Sequence, residues 1–183
     1  LPKGDRKLEK KFVQLAQSDL SGLVRLALAS TLQRLPVSSR GELAQALAGR
    51  AEDAQDHNLP AMVWYGITPL AEFDPEALAV VARATKWKNL RIWIARSLTD
   101  QAKERPEGLQ ALLSLMMEQP SKSDSLLLGM EEAFRGIKKV EAPENWSRLR
   151  AKLGKRPAVL RLSALFGDEG VLDDFAELVG DGR

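Results

Sequence analysis

The stretch EDAQDHNLPAMVWYGITPL, which begins at residue 52, concentrates the residue types of this chain that could do chemistry. It holds the single histidine, His57, between Asp56 and Asn58, and it places Trp64 beside the single tyrosine, Tyr65. A histidine next to carboxylates can act as a general base or a metal ligand, and neighbouring aromatic rings can line a ligand pocket. The alternative is a structural corner between two helices.

Three roles stay open for His57: a hydrogen-bonded corner residue, a ligand contact, or an acid or base. Transition-metal sites combine several histidine or thiolate ligands, whereas only Asp53 and Asp56 lie near this histidine in the sequence. The chain also has no Gly-x-Ser-x-Gly motif, no phosphate-binding glycine loop and no cysteine nucleophile. We therefore favour the corner, with a buried hydrogen bond worth about 1 kcal/mol, and expect no catalytic residue, metal or cofactor.

Composition excludes several other classes of function. The 183 residues carry 27 Lys and Arg against 25 Asp and Glu, a net charge of +2, which is far from the dense positive field of a non-specific polyanion binder. The absence of cysteine excludes disulfides, cysteine-ligated zinc and covalent haem attachment within the chain. The longest uncharged run, 58–71, contains a glycine and two prolines and is shorter than the ~18 apolar residues of a membrane span, so no membrane insertion is expected.

The stretch KWKNLRIWIAR interleaves cations with two tryptophans and is a second candidate surface. On one face of a helix, such a pattern could grip phosphates and stack on bases. The alternative is that Trp93 packs in the core while the cations are solvated, which we favour because the net positive charge is small. The cations are Lys86, Lys88, Arg91 and Arg96.

The elements that position these residues are helices. Apolar residues recur at helical spacing, as in the stripe formed by Leu20, Val24, Ala27, Leu28, Thr31 and Leu35, which Leu23 and Leu32 widen. No stretch alternates strictly as a strand would. The spacing predicts eleven helical segments: 7–17, 19–35, 39–51, 59–72, 75–86, 88–102, 106–118, 123–139, 144–153, 157–166 and 169–179.

Helix start signals accompany these segments. Ser39 has a glutamate three residues later, which is the spacing of a capping box, and Asp56, Asn58 and Asp74 can each cap a first turn. Pro69 inside its segment predicts that the helix kinks or ends early, because proline cannot donate a hydrogen bond. Prolines are expected in the first turn at Pro60, Pro75, Pro106, Pro143 and Pro157.

Five apolar blocks resemble one another and can be aligned on Val24, Met62, Leu90, Leu127 and Leu160. Their intervals surround the periods of helical-repeat arrays, which are ~34 residues in one family and ~40 to 47 in HEAT and armadillo types. One helix pair cannot hide its apolar face alone, whereas stacked pairs share a core. The sequence therefore predicts an all-α, right-handed, irregular HEAT-like α-solenoid of about five helix pairs, spanning 1–183 as one domain.

The blocks LVRLALASTLQRLP, RAEDAQDHNLPAMVWYGITPL and NLRIWIARSL resemble a segment of large exported bacterial chains described as membrane-bound dehydrogenases. In those chains a β-propeller precedes a HEAT-like segment and a cytochrome c domain follows it. The resemblance covers about Leu20 to Leu98 and implies a fragment of a larger protein in the periplasm or at a membrane. It implies no redox chemistry for this segment, which has no CxxCH.

The function expected from these observations is a non-catalytic scaffold or spacer whose partner is a protein, namely neighbouring domains of its parent chain or another chain. The alternative is a nucleic-acid-binding helical-repeat protein that uses the face from Lys86 to Arg96. An enzyme with His57 as acid or base comes third.

Overall fold

The computed structural model describes residues 5–168, 170, 171 and 174. Within these residues the chain forms eleven α-helices and no β-strand, which confirms the all-α class. The helices are α1 (Arg6–Ser18), α2 (Gly22–Thr31), α3 (Arg40–Ala48), α4 (Leu59–Ile67), α5 (Leu70–Phe73), α6 (Pro75–Ala84), α7 (Lys88–Asp100), α8 (Pro106–Glu118), α9 (Ser123–Ala133), α10 (Trp146–Leu153) and α11 (Pro157–Leu165). Short 3₁₀ turns occupy Leu32–Arg34, Val37–Ser39, Ala51–Asp53 and Pro120–Lys122.

Apart from the one-turn helix α5, the helices pack in two series, and the members of each series follow one another in chain order. Helices α1, α3, α6, α8 and α10, which we name the first helices, each contact the next member of that series. Helices α2, α4, α7, α9 and α11, the second helices, do the same. Each first helix also contacts the second helix that follows it. The packing therefore groups the ten helices as five consecutive pairs.

The core lies between the two series and is almost entirely aliphatic. On α7, Leu90, Ile94 and Leu98 recur at helical spacing and are fully buried. Each such side chain contributes about 1.5–3 kcal/mol through removal from water, so the apolar stripe is what holds the helix in place. Small residues let some helices approach more closely. A Cβ atom built on Gly129 of α9 would lie only 2.4 Å from the carbonyl oxygen of Ile92 on α7.

At each junction between consecutive first helices, a carbonyl group at or near the end of the earlier helix accepts a hydrogen bond from the pair that follows. At the end of α1, the Gln17 carbonyl accepts from Arg50 Nη1 at 2.6 Å. At the end of α3, the Ala48 carbonyl accepts from Thr85 Oγ1 at 3.3 Å and from the backbone N–H of Lys86 at 2.9 Å. A helix end leaves its last carbonyls without intrahelical partners, so the next pair supplies what the helix itself lacks.

The same arrangement recurs in the second half of the chain. Lys122, in the turn after α8, donates from Nζ to the carbonyl of Arg83 near the end of α6. Arg156, which precedes α11, donates from Nη1 to the Pro120 carbonyl just beyond α8 at 3.5 Å. Cations at these positions also face the negative end of the helix dipole. All four junctions between consecutive first helices thus have a polar contact as well as an apolar one.

The five aligned sequence blocks coincide with the five second helices, since Val24, Met62, Leu90, Leu127 and Leu160 fall on α2, α4, α7, α9 and α11 in turn. Asp74 caps α6 as expected, accepting from the backbone N–H of Ala77 at 2.9 Å. Four of the five prolines predicted in the first turn of a helix also lie there. They are Pro60, Pro75, Pro106 and Pro157.

The predicted interruption near Pro69 is confirmed. Helix α4 ends at Ile67, and α5 begins only at Leu70. Pro69 has no N–H for the carbonyl of Tyr65, and the Gly66 carbonyl accepts from Arg40 Nη1 at 2.9 Å. The segment expected over 59–72 is therefore two helices separated by a turn.

Several local predictions are wrong. Leu20 and Leu23 were expected in the buried stripe of α2 but are 90% and 78% exposed, because Leu20 precedes the helix and Leu23 lies on its outer side. The Ser39 side chain makes no capping bond within the described chain, since a 3₁₀ turn leads directly into α3. Pro143 does not open α10, which begins at Trp146 after Asn145 in the left-handed region (φ 66°).

The predicted helix boundaries also shift at other places. Segment 39–51 ends as α3 at Ala48, and segment 123–139 ends as α9 at Ala133. The chain beyond α9 turns at Gly136, whose φ of 84° favours a residue without a side chain. The eleventh predicted segment, 169–179, lies outside the described residues apart from three positions.

Gly129→Ala tests the close approach of α7 and α9. The added methyl group would meet backbone atoms that cannot rotate away, so we expect a loss of about 3 kcal/mol or more in the free energy of unfolding. Gly41→Ala is the matched control, because the nearest atom to its new Cβ is 4.0 Å away. Urea denaturation should show the control neutral or stabilised by up to about 1 kcal/mol. Equal effects of the two substitutions would contradict the packing.

Candidate functional site

The outer side of α2 and α4 forms an uncharged apolar surface, which we name the α2–α4 surface. Helix α4 contains no charged residue, and the only charged residue of α2, Arg25, is buried. Leu23 and Ala27 are exposed on α2, and Tyr65 is 65% exposed on α4. Helices α2 and α4 are adjacent in the series of second helices, so these side chains belong to neighbouring elements of one layer.

The α2–α4 surface arises from the helical repeat of α2. Leu23 and Ala27 are four residues apart and share one side of the helix, whereas Leu28 and Leu32 share the side that packs into the core. Apolar residues therefore occupy both sides of α2. Packing against the core explains the apolar residues on one side of α2 but not those on the other side.

Two tryptophans extend the aromatic character of this layer to α7. The rings of Trp64 on α4 and Trp93 on α7 lie 6.2 Å apart at an interplanar angle of 42°. Both are half-buried, and the distance is within the range of favourable aromatic pairs. Trp93 thus joins two second helices instead of standing free as a platform for a base.

A buried ion pair lies beneath the α2–α4 surface and fixes α2 against the turn that precedes α4. Arg25 donates from Nη2 to Asp53 Oδ1 at 2.7 Å, and Nε contacts the other carboxylate oxygen. The side chains are only 5% and 9% exposed, and the hydrogen bond to Asp53 raises the pKa of Arg25. Removing one partner of such a pair typically costs about 3–5 kcal/mol, because the other charge stays buried.

The corner around His57 is stabilised by Asp56, not by the histidine. Asp56 Oδ1 accepts from the backbone N–H groups of Leu59 at 2.8 Å and Asn58 at 2.9 Å. These bonds lower the pKa of Asp56, the one from Leu59 most strongly. His57 is exposed and makes no side-chain hydrogen bond within residues 5–168, so the expected buried hydrogen bond is wrong.

The structure separates the two halves of the opening stretch. Asn58 stands at the start of α4, where its side chain makes no capping bond within the described chain. Trp64 and Tyr65 lie near the other end of the helix, roughly 9–10 Å along its axis at 1.5 Å per residue. His57 therefore does not share one site with the two aromatic residues.

The basic-aromatic stretch does not form a single face. Lys86 and Lys88 are exposed, but Trp87 is fully buried and donates from Nε1 to the Arg50 carbonyl at 2.6 Å. Trp87 therefore cannot stack on a base. Of the other cations, Arg91 is half-buried against α9, and Arg96 is exposed with its Nε 3.7 Å from Asp100.

The scan of protein-family models and the searches of curated proteins and solved structures find no match to this chain. Among the described residues, no group of three or more His, Asp or Glu side chains is placed to hold a metal ion. No helix in the described ranges is long and apolar enough to span a bilayer. Function is therefore inferred from the geometry of the surfaces.

Sequence reasoning named Trp64 and Tyr65 but missed the surface to which Tyr65 belongs. Leu23 was assigned to the core because a hydrophobic stripe does not show how much of its width is covered. A signal was nevertheless present. The two neighbouring helices α2 and α4 contain no charged residue other than Arg25. They therefore lack the charged side that helices at a surface usually have.

Asp56→Ala and His57→Ala separate the cap from the histidine. Losing the cap should cost about 1 kcal/mol of the free energy of unfolding at neutral pH, whereas loss of the exposed histidine should cost less than about 0.5 kcal/mol. Because the pKa of Asp56 is lowered in the folded state, its contribution is complete above about pH 4 and is lost as pH falls through the folded pKa.

Chemical denaturation at neutral and acidic pH measures both effects. The cost of Asp56→Ala should shrink in acid. A larger cost for His57→Ala than for Asp56→Ala would contradict this assignment of roles.

Proposed function

We propose that this chain is a non-catalytic protein-interaction module, built as an irregular HEAT-like α-solenoid of five helix pairs, that binds a partner protein through the α2–α4 surface. The packing order supports the solenoid. Each pair contacts the pair before and after it through both series of helices, and each junction repeats the same kind of carbonyl contact. Nearest-neighbour packing of this kind is the property that defines repeat arrays.

The exposed apolar side of α2 and α4 is the observation that carries the proposed function. Leu23 and Tyr65 make little contribution to the fold, since most of each side chain faces water. Exposed apolar side chains on neighbouring helices without exposed charged residues favour a surface that meets a partner. Tyrosine is also enriched at protein interfaces, because it offers a large apolar ring and a polar hydroxyl group at low entropic cost.

We further propose, from the resemblance over Leu20 to Leu98 alone, that the module acts as a scaffold or spacer inside a larger membrane-associated dehydrogenase chain. In that setting the partner would be a neighbouring domain or another protein of the same assembly. Flanking sequence with propeller strands upstream and a CxxCH motif downstream would support this context. Flanking sequence without either would remove it.

Distances between spin labels on introduced cysteines test the solenoid. The chain has no native cysteine that would also be labelled. Each sample would carry two labels, one at Gln14 and one at an exposed position of a later first helix: Glu42, Glu76, Ser114 or Arg148. Measured from Gln14, the distances should increase in that order, since packed helices are spaced about 8–10 Å apart. A closed bundle, in which the Arg148 label returns towards Gln14, would contradict the array.

Site-specific crosslinking tests the interaction surface. A photoreactive phenylalanine analogue at Tyr65 should crosslink a protein partner in extracts of the native host, and the same analogue at Val80 on α6 serves as an exposed control. Excess unlabelled wild-type chain should compete with the crosslink. Excess Leu23→Asp/Tyr65→Asp chain should not compete, although its melting temperature should be close to that of the wild type because both positions are exposed.

Two results would contradict the proposed surface. The first is a crosslink at Val80 that equals the one at Tyr65. The second is competition by the double variant as effective as that by the wild type.

A further inference from the structure

Two arginines occupy equivalent positions in different helix pairs. Arg25 is the fourth residue of α2, and Arg91 is the fourth residue of α7. Each donates to the carbonyl six residues earlier in the chain, Arg25 to Asp19 at 3.0 Å and Arg91 to Thr85 at 2.9 Å. Arg25 also reaches Asp53 in the 3₁₀ turn before α4, and Arg91 reaches Ser125 in the first turn of α9. The two side chains thus share their position in the helix and their carbonyl contact, but their other partners lie in different elements.

The partners of the two guanidinium groups differ in charge. Arg25 meets the carboxylate of Asp53 with two donors. Arg91 has only neutral acceptors, the Thr85 carbonyl and the hydroxyl group of Ser125, which accepts from Nη1 at 3.0 Å. Its buried Nε has no hydrogen-bond partner among the described residues. A buried donor without an acceptor destabilises the folded state, and the effect is larger when the donor is charged.

A second cation without a carboxylate lies beside Arg91. Lys122 is half-buried and donates from Nζ to the Arg83 carbonyl. Burial lowers the pKa of Arg91, and burial together with the positive charges of Arg91 and Arg83 lowers the pKa of Lys122. In the described chain no carboxylate offsets either shift. Arg83 differs, because Glu118 pairs with it and raises its pKa.

We propose that Arg91 and Lys122 form a binding site for an oxyanion supplied from outside the chain, with a carboxylate as the favoured class. The precedent is internal, since the equivalent guanidinium group of Arg25 is already paired with a carboxylate. A carboxylate at Arg91 would supply the missing acceptor for Nε and would neutralise the unbalanced charge next to Lys122. The site is independent of the α2–α4 surface, so the failure of one proposal leaves the other standing.

Binding of a small free anion should be weak. Nε of Arg91 is covered, so an anion must shift the side chain before it gains two donors, and a few heavy atoms provide little binding energy. A dissociation constant in the millimolar range follows. An acidic side chain presented by a partner protein would bind more tightly, because its other contacts would hold it in place.

Acetate and inorganic phosphate are suitable probes, each titrated at constant ionic strength with sodium chloride. The Nε–H resonance of Arg91 in an NMR spectrum should shift and saturate with added anion. At about ten times the dissociation constant, the ratio of folded to unfolded protein should increase about elevenfold. Saturation with acetate alone assigns a carboxylate site, and saturation with both probes assigns a general oxyanion site.

Arg91→Gln and Lys122→Gln should abolish the saturable, anion-dependent stabilisation. Arg96→Gln is the control, because this exposed arginine lies on the same helix outside the proposed site. Lys122→Gln keeps the test valid if Arg91→Gln fails to fold. Ser125→Asp supplies an internal carboxylate and should also abolish the response to acetate.

Three results would overturn the proposal. They are a shift that never saturates, an equal response in Lys122→Gln, and an acetate response that survives in Ser125→Asp.

Discussion

At each of the four junctions between consecutive first helices, a carbonyl group at or near the end of the earlier helix accepts a hydrogen bond from the helix pair that follows. Arg50 supplies this contact for α1, and Thr85, Lys122 and Arg156 supply it at the later junctions. Because these donors lie about 30–40 residues beyond their acceptors, each of the first four pairs depends on its successor. The aliphatic core follows the same rule, since each helix buries its apolar side against members of the next pair. Polar and apolar contacts therefore have the same period.

The helical class and the five blocks could be predicted because they depend on local spacing. Asp74 followed by proline is a start signal that needs no tertiary information, and the structure contains the predicted cap. Leu23 shows the limit. An apolar stripe predicts that a helix is buried, but the exposed edge of the stripe depends on which neighbours reach it. The predicted cap at Ser39 is wrong for another local reason. A 3₁₀ turn leads directly into α3, and the Val37 carbonyl of this turn accepts from the backbone N–H of Arg40.

The candidate sites depend on contacts between distant residues, which spacing alone does not give. Arg25 and Asp53 are 28 residues apart, and Arg91 and Ser125 are 34 apart. Sequence reasoning grouped Arg91 with exposed lysines because they are neighbours in the chain, whereas the fold turns it towards α9. Trp64 and Tyr65 stay candidate contact residues. Their association with His57 followed chain proximity, although α4 carries them to its opposite end.

The close contact at Gly129 has a mechanical consequence. Backbone of α9 rests directly on backbone of α7 there, with no side chain between them that could change rotamer. Interfaces made of long side chains can slide by rotamer changes, but this one cannot, so the third and fourth helix pairs should move as one rigid body. Any bending of the array would then be concentrated at junctions whose interfaces consist of longer side chains.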